Sequence, residues 1–144
     1  MEHGKQNWKA DFPMREEVED HAGKTRAFVI SCQEGGLGFT VRAEEEGARG
    51  KGYEFAAYSE TSPYSALGRL RQKMYRGLAT RHIRGQRGDY QMLHDTLSGR
   101  ITSDGEGGVV LVVDGLPLSI DDLSSILATH EGWHFEMKIV DALE

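Results

Sequence analysis

The apolar positions of this chain change their period several times, and each change marks an element. Thr25 to Gln33 carries the continuous apolar centre Ala27-Phe28-Val29-Ile30, as a buried strand does. Glu34-Gly35-Gly36 follows as a turn signal. From Leu37 to Glu44 the pattern alternates strictly, with Leu37, Phe39, Val41 and Ala43 against Gly38, Thr40, Arg42 and Glu44. That is a strand with one buried face. A polar, glycine-containing loop, Glu45 to Gly52, leads to a third strand, Tyr53 to Ser59, with Tyr53, Phe55 and Ala57 on one face. Strands this close in sequence should pair as an antiparallel meander.

At Ser62 the period lengthens to that of a helix. Ser62 is placed to cap it, and Pro63 stands at the first helical position, where its missing N–H costs nothing. Leu67, Leu70, Met74 and Leu78 make one apolar stripe, and the helix should run to about Ile83. Asp89 is placed to start a short second helix carrying Tyr90, Leu93 and Leu97, stopped by Gly99. Arg100 to Asp104 and Val109 to Asp114 flank Gly105-Glu106-Gly107-Gly108 and read as a hairpin. Asp114-Gly115 is a tight-turn dipeptide. Ser119 caps a third helix, with Asp121 and Asp122 in its positive first turn and Ile120, Leu123, Ile126 and Leu127 as its stripe. Trp133 to Val140 alternates again, with Trp133, Phe135, Met137 and Ile139 on one face of a last strand. Residues 1–24 read either as a mobile tail or as a short amphipathic helix following Phe12-Pro13, with Trp8, Phe12, Met14 and Val18 as its apolar set. The fold expected is α+β: an antiparallel sheet in the order β-β-β-α followed by α-β-β-α-β, packed against helices. It forms a single domain over 25–144, divisible into sub-units 25–84 and 89–144.

Two resemblances arise from this order. The segment from Thr25 to Ile83 resembles, in topology only, the β-β-β-α unit of HicB-like antitoxins. Gly38-Phe39-Thr40-Val41 is similar to their second strand, and Thr61-Ser62-Pro63-Tyr64-Ser65-Ala66 to the junction that opens their helix. A double-stranded-RNA-binding domain shares that order of elements. In the C-terminal half, Val113-Asp114-Gly115, the capped helix and Glu131-Gly132-Trp133 resemble the C-terminal module of uncharacterised bacterial proteins of unknown function. That resemblance implies no catalytic residue.

Composition narrows the class. The 144 residues are about one domain's worth, and 38% hydrophobic with 28% charged residues is a globular balance. The longest aliphatic run, Val109 to Val113, is far shorter than the roughly 20 residues a membrane span needs. The first residues lack the apolar core of a signal peptide. A single cysteine, Cys32, excludes an internal disulfide and fits a reducing compartment, so a cytoplasmic location is expected. The net charge of −6 conceals a segregation. Between Thr61 and Gly88 there is no Asp or Glu, while Arg69, Arg71, Lys73, Arg76, Arg81, Arg84 and Arg87 all fall there.

Candidate chemistry is sparse. His130-Glu131-Gly132-Trp133-His134 matches the H-E-x-x-H pattern of zinc proteases, in which one helix face presents both histidines and the glutamate activates water. Gly132 sits where a helix should stop, and the alternation beyond it is that of a strand. His130, Glu131 and His134 are therefore read as a turn beside a core tryptophan, with no metal or other cofactor expected. His3, His21, His82 and His94 show no ligand spacing and read as free surface residues. Cys32 reads as a packing residue in a strand. The glycines of Gly35-Gly36-Leu37-Gly38 join two strands rather than entering a helix, which argues against a phosphate loop. No catalytic residue is assigned. Arg69, Lys73, Arg76 and Thr80 share the helix face opposite the leucines. They form either a solvated face paired with the molecule's own acids or a docking surface for an acidic protein or a nucleic acid. The function expected is a non-enzymatic interaction or regulatory module. Nucleic-acid binding is the first alternative and a zinc-dependent hydrolase the second. The oligomeric state is left open.

Overall fold

A computed structural model describes residues 7–144, which form two compact units. The first comprises the described residues up to Gly50, together with Glu54–Ala79 and Val140–Glu144. Its elements are a single turn α1 (Trp8–Asp11), strands β1 (Met14–Glu19), β2 (Thr25–Gly35), β3 (Gly38–Glu45) and β4 (Glu54–Ser59), and helix α2 (Pro63–Ala79). The strands make one antiparallel sheet in the order β1-β2-β3-β4. Val41 lies opposite Cys32 and Ala57, and Ala43 opposite Ile30 and Phe55. The alternation thus delivers Phe28, Ile30, Val41, Ala43 and Ala57, all buried, to a single face. Helix α2 covers it with Leu67, Leu70, Met74 and Leu78, each 5% exposed or less. The other face carries Arg15, Glu17, Arg42 and Glu44, which are exposed. One apolar and one polar face is the usual economy of an antiparallel sheet. Ser62 begins α2 as its sequence implies: its Oγ accepts from Tyr64 N at 3.0 Å, and its carbonyl accepts from Ala66 N. A Cβ at Gly77 would lie 2.6 Å from the Phe55 ring, so glycine lets helix and sheet close at that point.

Residues 14–19 correct the helical reading of the N-terminal region. They form the added edge strand β1, with Met14, Glu16 and Val18 half-buried and Arg15, Glu17 and Glu19 exposed. Apolar residues four apart satisfy both periods, and pairing with β2 decided between them. The β1–β2 connection is fixed by Asp20, whose carboxylate accepts from Ala22 N, Lys24 N and Arg26 Nε at 2.9–3.0 Å. Burial by itself pushes this carboxyl up. The two backbone N–H groups and the Arg26 guanidinium outweigh it and hold it below its ordinary value. Arg26 also reaches Glu45 on β3, which ties three strands together at one end.

The second unit comprises Lys51–Tyr53 and Thr80–Ile139. A two-residue ladder joins β5 (Ile83–Arg84) to β6 (Gln91–Met92). Strands β7 (Arg100–Ser103), β8 (Val109–Val113) and β9 (Leu116–Leu118) form an antiparallel sheet in that order, followed by α3 (Ile120–Ala128). The core is Ile83, Val113, Leu118 and Ile126, with Tyr90, Met92, Leu97 and Leu111 packed against it. Asp114 and Gly115 turn the β8–β9 hairpin with φ of 53° and 74°, the left-handed pair that a two-residue hairpin requires. Ser119 and Asp122 make a reciprocal capping box at the start of α3.

Three expectations fail in this unit. Helix α2 stops at Ala79, and Ile83 is buried in the core of the second unit instead. Residues 89–99 form no helix: Tyr90 and Met92 face the core with period 2, because pairing with Ile83 and Arg84 claims Gln91 and Met92. Trp133 to Val140 is not a strand, and Trp133 is not in a core. Trp133, Phe135, Met137 and Ile139 are 72%, 83%, 75% and 69% exposed. The alternation is real, but a strand is a pairing as well as a period, and no strand in this unit takes the segment as a neighbour.

Candidate docking face on helix α2

Arg69, Lys73 and Arg76 recur at spacings of four and three, so they share one face of α2. That face stands over β4, the last strand of the first sheet, whose outer edge would otherwise present unpaired carbonyls. Arg69 Nη1 donates to Tyr58 O and Lys73 Nζ to Ala56 O, both at 2.7 Å. Lys73 Nζ also donates to Ala142 O at 3.2 Å. Leu143 and Glu144 complete a shallow groove with Ala57, Tyr58, Gln72 and the three cations. Burial lowers the Lys73 ammonium from its ordinary value, while the charges of Asp141 and Glu144 pull it back up. An acidic stretch of the chain therefore lies on its own basic face.

The rest of the acid-free segment does not join this face. Arg71 turns the other way and pairs with Glu16 of β1 at 2.7 Å. Thr80, expected to extend the stripe, lies beyond the end of the helix and belongs to the second unit. In that unit Arg81 Nε donates to Ile83 O and Arg84 to Gln91 Oε1. The charge segregation in the sequence is one run, but the fold divides it.

The H-E-x-x-H residues are placed unlike a metalloprotease helix. Helix α3 ends at Ala128, Gly132 has a φ of +90°, and His130 and His134 follow in irregular chain. His130 Nδ1 lies 3.1 Å from Thr129 Oγ1, and its ring meets Trp133 edge-on at 5.3 Å. Among the described residues, no group of three or more His, Cys, Asp or Glu is arranged to hold a metal ion. Cys32 is half-buried, and burial together with Glu34 pushes its thiol above the ordinary value, away from thiolate reactivity.

One histidine departs from its expected place. His82 is not a free surface residue. Its Nδ1 lies 2.8 Å from Asp114 Oδ1, while Asp114 Oδ2 accepts from the backbone N–H groups of His82 and Ile83. Asp114 thereby clamps β5 to the β8–β9 turn, a role its left-handed turn position partly announced. His21 and His94 are exposed, and His3 lies outside the described residues. Asp20 was also passed over. Its signal was local: Asp20-His21-Ala22-Gly23 is a turn sequence in which the aspartate can accept from the backbone two residues on.

Two family models match the chain. Residues 10–79 match a domain of unknown function (DUF7686), and residues 81–144 match a second domain of unknown function (DUF7713). The two matches meet where α2 ends. No curated protein and no solved structure matches the chain. No helix among the described residues is long and apolar enough to cross a membrane.

Proposed function

We propose that this protein is a non-enzymatic interaction module and that the basic face of α2, beside β4, takes an extended acidic peptide segment of a partner protein. The observation that carries the reading is the chain's own Ala142, held by Lys73 Nζ and flanked by Asp141 and Glu144. This self-contact supports the reading: the ammonium takes a backbone carbonyl, and two carboxylates lie in the surrounding field. Arg69 and Lys73 are already fixed by the β4 edge, so they meet a ligand with little further loss of side-chain freedom.

The test is a titration of a labelled Asp/Glu-rich peptide into the full chain at low and high salt, beside single-stranded RNA and duplex DNA. Peptide binding should weaken as salt rises. Arg76→Glu should reduce it, and Asp141→Ser with Glu144→Ser should tighten it by removing the internal competitor. Peptide binding that ignores all three changes sinks the proposal. RNA or DNA binding stronger than peptide binding replaces it with a nucleic-acid function.

A further inference from the structure

We propose that the 133–139 segment holds a dimerisation strand, residues 135–139, which pairs antiparallel with the same residues of a second copy of this chain around a two-fold axis at Met137. The starting observation is the pattern left unused in the second unit. Trp133, Phe135, Met137 and Ile139 alternate along the chain, and all are 69–83% exposed. Singly exposed apolar residues are ordinary, but four large ones on one face of a strand-period segment are a patch that wants cover.

The sequence itself chooses the occupant. Between the apolar residues stand His134, Glu136 and Lys138, so the charges on the two sides of Met137 are opposite. In an antiparallel pair centred on Met137, Glu136 of each copy faces Lys138 of the other, and Phe135 faces Ile139. Both pairings occur twice. The neighbouring registers are worse. Centring on Glu136 opposes two carboxylates, and centring on Lys138 opposes two ammonium groups. A one-residue slip in either direction sets Met137 and Ile139 against polar side chains. A parallel, in-register pair sets like charges side by side. The Met137-centred register sets opposite charges against each other and apolar residues against each other across 135–139, with the self-complementary symmetry that a two-fold interface requires.

The surface is of the right size. Buried aromatic side chains contribute about 150–250 Å² each, so two copies of Trp133 and Phe135 supply half or more of the roughly 1,200 Å² at which stable interfaces begin. The apolar face of the two-stranded ribbon also has a cover within the same unit. Ile120 and Leu127 on α3 are 53% and 49% exposed and, with Leu123, line a shallow apolar groove. Nothing in this inference depends on the α2 face.

Sedimentation equilibrium of the full chain, from low micromolar to several hundred micromolar, should show a species of twice the 16.0 kDa chain mass. Lys138→Glu and Glu136→Lys should each raise the dissociation constant about tenfold or more, because each turns two attractive cross-strand pairs into repulsive ones. The double variant Glu136→Lys/Lys138→Glu should restore the dimer. Met137→Lys, which places two ammonium groups on the axis, should leave a monomer. These side chains are exposed, so circular dichroism should show every variant folded. A chain that stays monomeric throughout the range overturns the proposal. So does a dimer indifferent to the single charge reversals, or one that the double reversal fails to restore.

Discussion

The two units of this chain spend similar lengths of sequence on very different cores. In the first, a four-stranded sheet and a 17-residue helix close on each other, and Phe28, Ile30, Val41, Leu70, Met74 and Leu78 are essentially without solvent contact. In the second, two small sheets and a nine-residue helix bury Ile83, Val113, Leu118 and Ile126, while Ile101, Val109, Ile120, Leu127 and the Trp133–Ile139 set remain in solvent. The sequence there is nearly as apolar, but several of its large apolar residues stay in solvent. A unit that finishes its own core has a surface free to be polar, and the first unit uses it for a basic face over a sheet edge. A unit that leaves apolar positions uncovered is shaped for association, and that is where the dimer strand is inferred. The two proposed modes of association follow the same contrast, charge from the finished unit and apolar surface from the unfinished one.

The largest difference between the units should come from truncating the apolar stripes of their helices. Leu70→Ala removes a fully buried side chain from the centre of α2 and should cost about 3–5 kcal/mol. Buried Trp8, edge-on to Phe39 in the same unit, reports the loss by its fluorescence in a urea titration. Ile120→Ala on α3, a side chain of similar size, should cost under about 1 kcal/mol because it is 53% exposed. Equal costs would mean that the second unit is as completely packed as the first.

Next in size is the Asp20 cluster. Asp20→Ala removes the acceptor of two backbone N–H groups and strips Arg26 of one partner, at about 2–4 kcal/mol. The sign with pH follows from the lowered carboxyl. Its stabilisation is present above the ordinary value of 3.8 and is lost as pH falls through the lower folded value. The urea midpoint of the native chain should therefore approach that of Asp20→Asn in strong acid and exceed it at neutral pH. A gap between them that is constant with pH would show that the carboxylate charge is not what holds this turn.

Legibility in the sequence followed the same division. Strands β2 to β4, α2 with its buried stripe, the β7–β8 hairpin and the capping of α3 were all readable, because local signals and packing agree there. Met14-Arg15-Glu16-Glu17-Val18-Glu19 was ambiguous, since its two apolar residues fit either period. Residues 89–99 were misread because spacings of three and four outweighed a two-residue pairing that only the tertiary structure supplies. Trp133 to Val140 was misread for a deeper reason: the pattern specifies a face, not the neighbour that covers it. For the basic face, Arg69, Lys73 and Arg76 were visible as a stripe, whereas the carbonyls of Tyr58 and Ala56 that hold Arg69 and Lys73 carry no side-chain signal at all.

A smaller effect tests the β8–β9 turn of the second unit. Gly115 has a φ of +74°, and a Cβ there would lie 2.6 Å from the Tyr53 ring. Gly115→Ala should cost about 1–3 kcal/mol, from left-handed strain plus the displaced ring. Gly132→Ala should cost about 1 kcal/mol or less, because its φ of +90° carries the strain but no atom lies within 4 Å of the added methyl. Thermal midpoints of the two variants separate close packing from backbone strain, and equal shifts would put the whole effect in the backbone.

The smallest expected effect separates the units most sharply. Judged from the alternation alone, Trp133 is a core residue, and its truncation would cost about 3–5 kcal/mol. In the folded chain its ring is 72% exposed and its close aromatic neighbour is His130. Trp133→Ala should therefore change the stability of the dilute, monomeric chain by less than about 0.5 kcal/mol. Phe28→Ala, on the fully covered face of the first sheet, should cost several times more. The concentration dependence then carries the information. If the 133–139 segment pairs between copies, native stability rises with protein concentration by mass action, and Trp133→Ala loses that rise while keeping the dilute value. A Trp133→Ala cost of several kcal/mol in dilute solution would mean that the ring is packed within its own chain. The contrast between a finished and an unfinished core would then fail at its clearest residue.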